Sequence, residues 1–224
     1  MSMRTLAIGD IHGCLTALKT LVEVAGVTPE DTLITLGDYV DRGDSSRGVI
    51  DYLIELRKTH QLITLRGNHE SMMEEARSTA DQFHFWAANG GYQTLESFGV
   101  EDVHEIPKLY WKFLKSLESW YETENHIFVH AGLSADLPLK EQPPLSLYWM
   151  KFSQNQPHES GKTIVCGHTA QKDGLPSVQP GAVCIDTHVY AEDGWLTCLD
   201  VMSGEYWQAN ELGESRRGEL DPVG

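Results

Sequence analysis

The chain has 224 residues, of which 41% are hydrophobic and 22% are charged. This composition is ordinary for a globular protein and excludes a disordered or fibrous chain. Acidic residues outnumber basic ones by 33 to 17, which gives a net charge of −16. Such a charge argues against binding to nucleic acid, because few cations are available to neutralise phosphates, and against binding to an anionic membrane surface.

The sequence predicts neither a membrane span nor an exported protein. No apolar stretch approaches the roughly 20 residues that a membrane helix needs, and the first residues lack the pattern of a signal peptide. The four cysteines form no CxxC pair, and three of them lie in apolar runs, where a free thiol packs as a small hydrophobic group. We therefore expect a reduced, cytoplasmic protein, and the sequence leaves its oligomeric state open.

Residues 5–70 repeat one pattern. Apolar runs at 5–8, 32–36 and 62–65 predict strands, and apolar residues at helical spacing follow the first two runs. Strand, loop and helix in repetition predict βαβ units around a largely buried sheet. Ligands of such sheets bind beyond the carboxyl ends of the strands. Asp10, Asp38 and Asn68, which follow the three runs, should therefore meet at one rim.

Residues 71–124 are helical in character and rich in aromatic residues, with a break at Asn89-Gly90-Gly91. We interpret this segment as a helical insertion or cap over the sheet. Most of its rings are expected in the core, because aromatic side chains contribute strongly to core packing. An aromatic surface that binds substrate is the alternative.

Strand-like runs return at 127–129, 163–166 and 182–185, and they end in His130, His168 and Asp186-Thr187-His188. Residues 195–201 and 205–207 predict a hairpin. We expect one α/β domain over 1–210, followed by a polar and frayed tail over 211–224.

Five predicted strand ends carry groups that are costly to bury unless they are paired or bound to metal. The candidate ligands are three oxygen donors and three imidazoles: Asp10, His12, Asp38, Asn68, His130 and His168. One zinc ion takes about four ligands, so this set suits two divalent ions that share a carboxylate. Imidazoles favour manganese, iron or zinc over calcium and magnesium. Two ions about 3.5–4 Å apart clamp the attacking and leaving oxygens of a displacement at phosphorus.

Five sequence blocks carry a resemblance to a known family. They are GDIHG at 9–13, GDYVDRG at 37–43, GNHE at 67–70, HAG at 130–132 and GHT at 167–169. In this order they resemble the signature blocks of the phosphoprotein phosphatases, above all the small bacterial and phage enzymes of the lambda-phosphatase type. The resemblance implies a calcineurin-like metallophosphoesterase fold, which is a four-layer αββα sandwich with a helical insertion.

The resemblance also implies a role for each candidate ligand. Asp10 and His12 would bind the first metal ion, and Asp38 would bridge the two ions. Asn68, His130 and His168 would bind the second ion. Manganese is the most suitable metal for both positions. A hydroxide between the two ions would attack phosphorus in line, without a phosphoenzyme intermediate.

Four further residues receive roles from the resemblance. His69 would be the general acid that protonates the leaving oxygen, oriented by Asp41. Arg42 and Arg66 would bind the phosphate oxygens through their forked donors. Taken alone, Asp41 and Arg42 also suit an ion-paired surface turn, and Arg66 also suits a structural salt bridge.

Three positions are interpreted separately. Glu70 suits capping of the helix that follows it better than catalysis. His188 stands where the family often has glycine, and its role is left open. Lys151 stands where phage-type relatives have an arginine that helps to hold phosphate, and lysine supplies charge but no bidentate fork.

The leading functional hypothesis is a metal-dependent protein serine/threonine phosphatase, which acts on a phosphorylated protein or a small phosphoester. The alternative is a hydrolase of diadenosine tetraphosphate or a similar dinucleoside polyphosphate, because relatives with similar blocks cleave that dinucleotide. A catalytically dead scaffold ranks last, because every ligand position and His69 are filled. The physiological substrate, the resident metal and any regulator cannot be derived from the sequence.

Overall fold

The structure of the protein, a computed structural model, describes residues 3–220. Its strands are β1 (Thr5–Ile8), β2 (Thr32–Thr35), β3 (Gln61–Thr64), β4 (Trp120–Glu122), β5 (His126–Val129), β6 (Thr163–Cys166), β7 (Ser177–Gln179), β8 (Ala182–Cys184), β9 (Leu196–Asp200), β10 (Glu205–Ala209) and β11 (Ser215–Glu219). Its α-helices are α1 (Leu15–Val24), α2 (Ser46–Leu56), α3 (Asn68–Glu75), α4 (Ala80–Trp86), α5 (Tyr92–Phe98), α6 (Lys108–Lys115) and α7 (Pro144–Trp149).

The strands form two mixed sheets. The first has the order β11-β10-β9-β1-β2-β3 and the second the order β4-β5-β6-β8-β7. β1, β2 and β3 run parallel, as do β5, β6 and β8. Antiparallel strands flank each parallel group. Each sheet therefore presents the carboxyl ends of three parallel strands at one edge.

The alternation of side chains explains why the sheets lie face to face. In β1, Ile8 packs in the core shared with α1 and α2, whereas Ala7 belongs to the apolar layer between the sheets. In β5, Phe128 belongs to that same layer and Val129 packs on the outer side with Leu147 of α7. Successive side chains of a strand point to opposite faces. The resulting four-layer αββα sandwich confirms the predicted fold class.

The segment expected to be helical holds α4, α5 and α6. Trp86 is fully buried and Tyr110, Trp111 and Phe113 are buried, whereas Phe85 and Tyr92 are exposed, so the expectation of core packing holds for about half of the rings. Its last part differs from the expectation, because residues 120–122 form β4. Trp120 and Tyr121 have high strand propensity, and the tight turn at 123–126 pairs them antiparallel with β5. Within residues 3–220, no helix has the length and apolarity that a membrane crossing requires.

The C-terminal part confirms the predicted hairpin, because β9 and β10 pair antiparallel. The expectation of a frayed tail after Asn210 is wrong for residues 215–219, which form β11 on the edge of β10. The side chain of Asn210 accepts hydrogen bonds from the backbone N–H groups of Leu212 and Glu214 and so closes the connecting turn. Polarity misled the prediction, because an exposed edge strand is held by backbone hydrogen bonds and needs no apolar face.

Candidate metal centre

Polar side chains converge where the parallel strands of both sheets end. Asp10 follows β1, Asp38 follows β2, and Asn68 follows β3 at the start of α3. In the second sheet, His130 follows β5 and His168 follows β6. All of these side chains are buried except that of His168, which is half-buried. The face-to-face packing of the sheets thus brings two rows of strand ends to one place.

Asp38 lies at the middle of this cluster. Its Oδ2 is 3.4 Å from His12 Nε2, and its Oδ1 is 3.5 Å from His130 Nε2. Two groups of possible ligand atoms, each within 4.8 Å, share this residue: one adds His12 and His69, and the other adds Asp10 and His130. A carboxylate with one oxygen toward each group has the placement that a bridging ligand requires.

Asn68 and His168 close the cluster on the other side. The backbone N–H of His168 donates to Asp10 Oδ2 over 3.0 Å, and Asn68 Oδ1 is 2.9 Å from both His130 Nε2 and His168 Nδ1. The structure therefore brings the six sequence-predicted ligands together, although they are drawn from residues 10 to 168 of the chain.

The orientation of the imidazoles fits a cation. Nδ1 of His12 donates to the carbonyl of Val40 and Nδ1 of His130 donates to that of Leu36, each over 2.9 Å. The other nitrogen of each neutral ring then presents a lone pair to the cluster. Nε2 of His168 is buried and has no hydrogen-bond partner among the described residues. Inward lone pairs, carboxylates and an unpartnered ring nitrogen form a donor set that suits divalent transition metals.

Burial and charge set the protonation of these groups. Burial lowers the pKa of His12 and of His130, and with the neighbouring His130 it lowers that of His168 to about 3. Burial alone would raise the pKa of Asp38, but His130, His69 and His12 outweigh it and hold the pKa below its usual value. Neutral imidazoles and an ionised carboxylate are the forms in which these side chains bind metal.

The backbone around the cluster is unusual. Six residues other than glycine have a positive φ between 44° and 72° within the described chain: His12, Asp38, Asp41, Arg42, His168 and His188. This conformation is unfavourable for side chains with a Cβ. Five of the six residues belong to the predicted site, so the strain is concentrated where side chains must be turned inward.

Two glycines permit the close approach of backbone and ligand. A Cβ on Gly67 would collide with the carboxylate of Asp38, and a Cβ on Gly167 would collide with that of Asp10. Both glycines directly precede a candidate ligand, Asn68 and His168 respectively. The glycines of the GNHE and GHT blocks are therefore explained by space rather than by flexibility.

His69 and Asp41 form a buried pair beside the cluster. His69 Nδ1 is 2.7 Å from Asp41 Oδ2, and His69 Nε2 is 3.9 Å from Asp38 Oδ2. Burial opposes the charged form of His69, but the carboxylates of Asp38 and Asp41 outweigh it and raise the pKa of the ring. Because Nδ1 is hydrogen-bonded to Asp41, Nε2 is the ring nitrogen that can present a proton to a molecule bound at the cluster.

Comparison with known proteins agrees with this geometry. The sequence profile described as Calcineurin-like phosphoesterase matches residues 3–194. The chain belongs to this family. It is 41% identical over 131 residues to serine/threonine-protein phosphatase 1 of Salmonella typhimurium, and the match covers 57% of this chain and 58% of that protein.

A second relative points to a different substrate. The symmetrical bis(5'-nucleosyl)-tetraphosphatase of Pseudomonas fluorescens is 31% identical over 140 residues, which are 62% of this chain and 46% of that protein. The chain thus spans about half the length of the curated relatives that it matches. A protein serine/threonine phosphatase from Saccharomyces cerevisiae has the same fold, with a TM-score of 0.66 at 17% identity over 99% of this chain and 81% of that chain.

The predicted resemblance to the phosphoprotein phosphatases is confirmed by the family match and by the Salmonella relative. The names of the two relatives differ in substrate, since one is a serine/threonine-protein phosphatase and the other is a bis(5'-nucleosyl)-tetraphosphatase.

The two predicted phosphate-binding arginines are placed differently. Arg42 Nη1 is 2.9 Å from His12 Nε2, so its guanidinium lies at the edge of the cluster. Arg66 instead binds Glu74 Oε2 through Nη1 and the carbonyl of Leu114 through Nη2, each over 2.8 Å. No hydrogen bond joins the Arg66 guanidinium to a predicted ligand within residues 3–220, and its ion pair with Glu74 matches the structural alternative.

Sequence reasoning missed two residues that hold Asp41. Trp86 Nε1 donates to the Asp41 carboxylate over 3.0 Å, and the hydroxyl of Thr94 donates to Asp41 Oδ1 over 2.7 Å. Both lie on helices of the insertion, Trp86 at the end of α4 and Thr94 in α5. The kink at Asn89-Gly90-Gly91 between these helices was a visible signal, but its interpretation as a turn gave no reason to link it with Asp41.

Two acidic residues also support the centre. Glu70 accepts hydrogen bonds from the backbone N–H groups of Gly67, Asp38 and Tyr39. It thus caps α3, as interpreted from the sequence, and also ties the loop after β2 to the loop after β3. Asp186 follows β8, a further strand end, and burial raises its pKa to about 6. Its position after a strand was noted, but it was not counted as a site residue.

Proposed function

We propose that the chain is a metal-dependent phosphomonoester hydrolase and, most specifically, a protein serine/threonine phosphatase. The observation that carries the proposal is the buried His69–Asp41 pair set against a cluster of inward-facing metal ligands. A cluster that only bound metal would need no imidazole beyond its three histidine ligands, paired with a carboxylate and with a raised pKa at its edge. Such an imidazole suits a general acid near neutral pH.

Two divalent transition-metal ions, most suitably manganese but also iron or zinc, would supply an activated water nucleophile and Lewis-acid polarisation of the phosphoryl group. The proposed ligands of this centre are Asp10, His12, Asp38, Asn68, His130 and His168. Asp38 would bridge, since its two oxygens face the two groups of ligands.

The remaining residues of the centre would either act on the substrate or orient a residue that does. Nε2 of His69 would hold the proton that passes to the leaving oxygen, which is needed because a serine alkoxide is a poor leaving group. Asp41, fixed by Trp86 and Thr94, would keep that ring in one orientation. Arg42 would bind phosphoryl oxygens and balance the charge that develops on them.

A second candidate function is hydrolysis of a dinucleoside polyphosphate, because one relative is a tetraphosphatase. The net charge of −16 weakly disfavours a highly charged nucleotide, although the local field of two metal ions would dominate near the centre.

The four cysteines are buried and unpaired, which fits the reducing cytoplasm proposed as the location.

Turnover of two substrates by manganese-loaded protein separates the candidates. We expect kcat/KM on a phosphoserine peptide to exceed that on diadenosine tetraphosphate. The reverse order would support the tetraphosphatase. Failure to hydrolyse even a simple aryl phosphate would leave the catalytically dead scaffold as the remaining explanation.

Replacement of Asp38 by Asn tests the dinuclear centre. We expect Asp38→Asn to lose both metal content and activity, because a neutral amide cannot bridge two cations as a carboxylate does. Metal analysis by mass spectrometry on protein purified without chelators measures the first effect, and aryl phosphate hydrolysis measures the second. Wild-type occupancy of both metals in this variant would contradict a bridging role.

A further inference from the structure

The loop after β8 places an aromatic side chain against the candidate centre. The guanidinium carbon of Arg42 lies 4.4 Å from the centroid of the Tyr190 ring. The same ring meets the edge of His12 at a centroid distance of 5.0 Å and an interplanar angle of 87°. Tyr190 therefore packs against both a candidate ligand, His12, and the guanidinium of Arg42, which lies at the edge of the cluster.

The charge of Arg42 stays available in this arrangement. Within residues 3–220, no carboxylate forms an ion pair with Arg42, whereas Arg66 is paired with Glu74. An aromatic face attracts a guanidinium without neutralising its charge. Nη1 of Arg42 is directed at His12 Nε2, and within residues 3–220 the other guanidinium nitrogens have no hydrogen-bond partner, so these donors are open to an anion in a way that a salt bridge would not allow.

His188 supports the ring from a further direction. Its imidazole lies perpendicular to Tyr190, with a centroid distance of 4.6 Å and an interplanar angle of 89°. It adopts a φ of 63°, at the position where the resemblance leads to glycine. Since such a conformation is unfavourable for a residue with a Cβ, glycine would fit the backbone better, and the imidazole contributes the packing contact that glycine lacks.

Arg42 and Tyr190 also line a common cavity. It has a volume of about 700 Å³ and extends along the loop that contains Val189, Ala191 and Glu192. The candidate metal ligands do not line this cavity. Arg42 and Tyr190 therefore lie between the cavity on one side and His12 on the other.

We propose that Tyr190 is a positioning residue, which holds the guanidinium of Arg42 beside His12 for binding the phosphoryl oxygens of the substrate, and that His188 steadies Tyr190. The inference rests on the proposed function. It answers the question of His188 that the sequence left open, because it gives the imidazole a partner other than a metal ion.

Phosphate binding tests the proposal without depending on turnover. The probe is inorganic phosphate, titrated calorimetrically into manganese-loaded protein, and KM and kcat for p-nitrophenyl phosphate are measured on the same preparations. We expect Tyr190→Leu to weaken phosphate binding and raise KM by about 3- to 30-fold, with kcat changed less than KM. Tyr190→Phe keeps the ring face and should remain close to wild type. Tyr92→Leu, which removes an exposed tyrosine of α5, is the matched control.

A double-mutant cycle separates positioning from a structural role. In an Arg42→Ala background, Tyr190→Leu should have little further effect, because the group that it positions is gone. His188→Gly should give a smaller change in the same direction as Tyr190→Leu. An equal loss with and without Arg42, or wild-type phosphate affinity in Tyr190→Leu, would overturn the proposal.

The outcomes distinguish this inference from the proposed function. If the wild-type protein binds phosphate with coupling between Arg42 and Tyr190 but hydrolyses no phosphoester, the proposed function fails and the positioning role stands. If it hydrolyses phosphoesters and Tyr190→Leu behaves as wild type, the positioning role fails alone. If it neither binds phosphate nor turns over, both fail.

Discussion

Strands β1 and β2 have opposite chemistry at their two ends. Just before them, Arg4 and Asp31 form a complementary ion pair, with the Arg4 Nη2 atom 2.6 Å from Asp31 Oδ2. Just after them, Asp10 and Asp38 are brought together with the same sign of charge. The pairs lie at opposite ends of one parallel register, Thr5 with Thr32 and Ile8 with Thr35. The same strands therefore pair opposite charges at one end and gather like charges, those of two proposed metal ligands, at the other.

At the amino ends further hydrogen bonds surround the ion pair. Asp31 accepts from the backbone and guanidinium of Arg4 and from the backbone and hydroxyl of Thr28. The guanidinium also donates to the carbonyls of Ala25 and Gly26. Interactions of this kind stabilise a fold because no buried charge is left without compensation.

At the carboxyl ends the protein by itself is not balanced. Burial raises the pKa of Asp10 well above its usual value, and the charges of Asp186 and Asp38 raise it further. Strained backbone at Asp38 and His168 adds to the cost. A site that repels itself when empty of cations gains most when cations bind, which is the arrangement expected of a metal centre.

The largest predicted effect concerns catalysis at the carboxyl ends. We expect His69→Asn to lower kcat by a factor of roughly 10²–10⁴ on an alkyl phosphoester, because no group would then protonate the leaving oxygen. The effect should shrink on an aryl phosphate, whose leaving group needs less help. Steady-state kinetics on both substrates measures the difference.

Metal analysis provides the control for this variant. His69→Asn should keep the metal content of the wild type, and His84→Asn, which replaces an exposed histidine of α4, should keep both metal and rate. An unchanged kcat in His69→Asn would remove this residue from the mechanism. Loss of metal would instead make it a ligand, as its distance to His12 and Asp38 also allows.

The carboxyl ends were the part of the molecule that the sequence predicted well. Asp10, Asp38, Asn68, His130 and His168 each follow an apolar run within a few residues, and parallel strands deliver their ends to one edge. Chain order was enough to predict that Asp10, Asp38 and Asn68 would meet. His130 and His168 follow strands of the second sheet, and they joined the predicted set through their ligand chemistry. Alternation of strands and helices predicted βαβ units around a buried sheet, whereas the two-sheet sandwich was implied by the resemblance to the phosphoprotein phosphatases.

Contacts between distant side chains could not be predicted in the same way. No local pattern relates Trp86 or Thr94 to Asp41, because the link depends on how α4 and α5 pack over the rim. The direction of the Arg66 side chain could not be predicted for a similar reason, because it depends on an ion pair with Glu74, which lies eight residues further along the chain. Strand β11 was missed because backbone pairing at an edge leaves little trace in the side chains.

A stability measurement on Asp10→Asn tests whether the empty site is self-repelling. A carboxyl group whose pKa is raised in the folded state contributes stability that is fully present below its unfolded pKa. That contribution is lost as the pH rises through its folded pKa. In chelator-treated protein we therefore expect Asp10→Asn to be more stable than wild type by about 1–3 kcal/mol at pH 8. Urea unfolding followed by circular dichroism measures this difference.

The gain should fade as the pH falls below about 3.9, the ordinary pKa of an unfolded aspartic acid, because both states of the wild-type carboxyl are then protonated. Saturating manganese should reverse the order, because the variant lacks a ligand and gains less from binding. A chelator-treated Asp10→Asn variant that is less stable than wild type at pH 8 would contradict the repulsion between carboxylates that we infer at the carboxyl ends of the strands.

The smallest predicted effect lies at the amino ends. The Arg4 guanidinium holds the pKa of Asp31 down, at about 2. A carboxyl group with a lowered pKa stabilises the fold above its unfolded value, and that contribution disappears as the pH falls through the folded value. We expect Asp31→Asn to lower the free energy of unfolding by about 1–2 kcal/mol at pH 7, with the deficit shrinking between about pH 4 and pH 2.

Phosphoester hydrolysis and metal content should stay at wild-type levels, since the substitution lies at the far end of β2 from the ligands. A loss of activity that exceeds the loss of stability would mean that the two ends of the strands are coupled, and their division between stability and ligand binding would then be wrong.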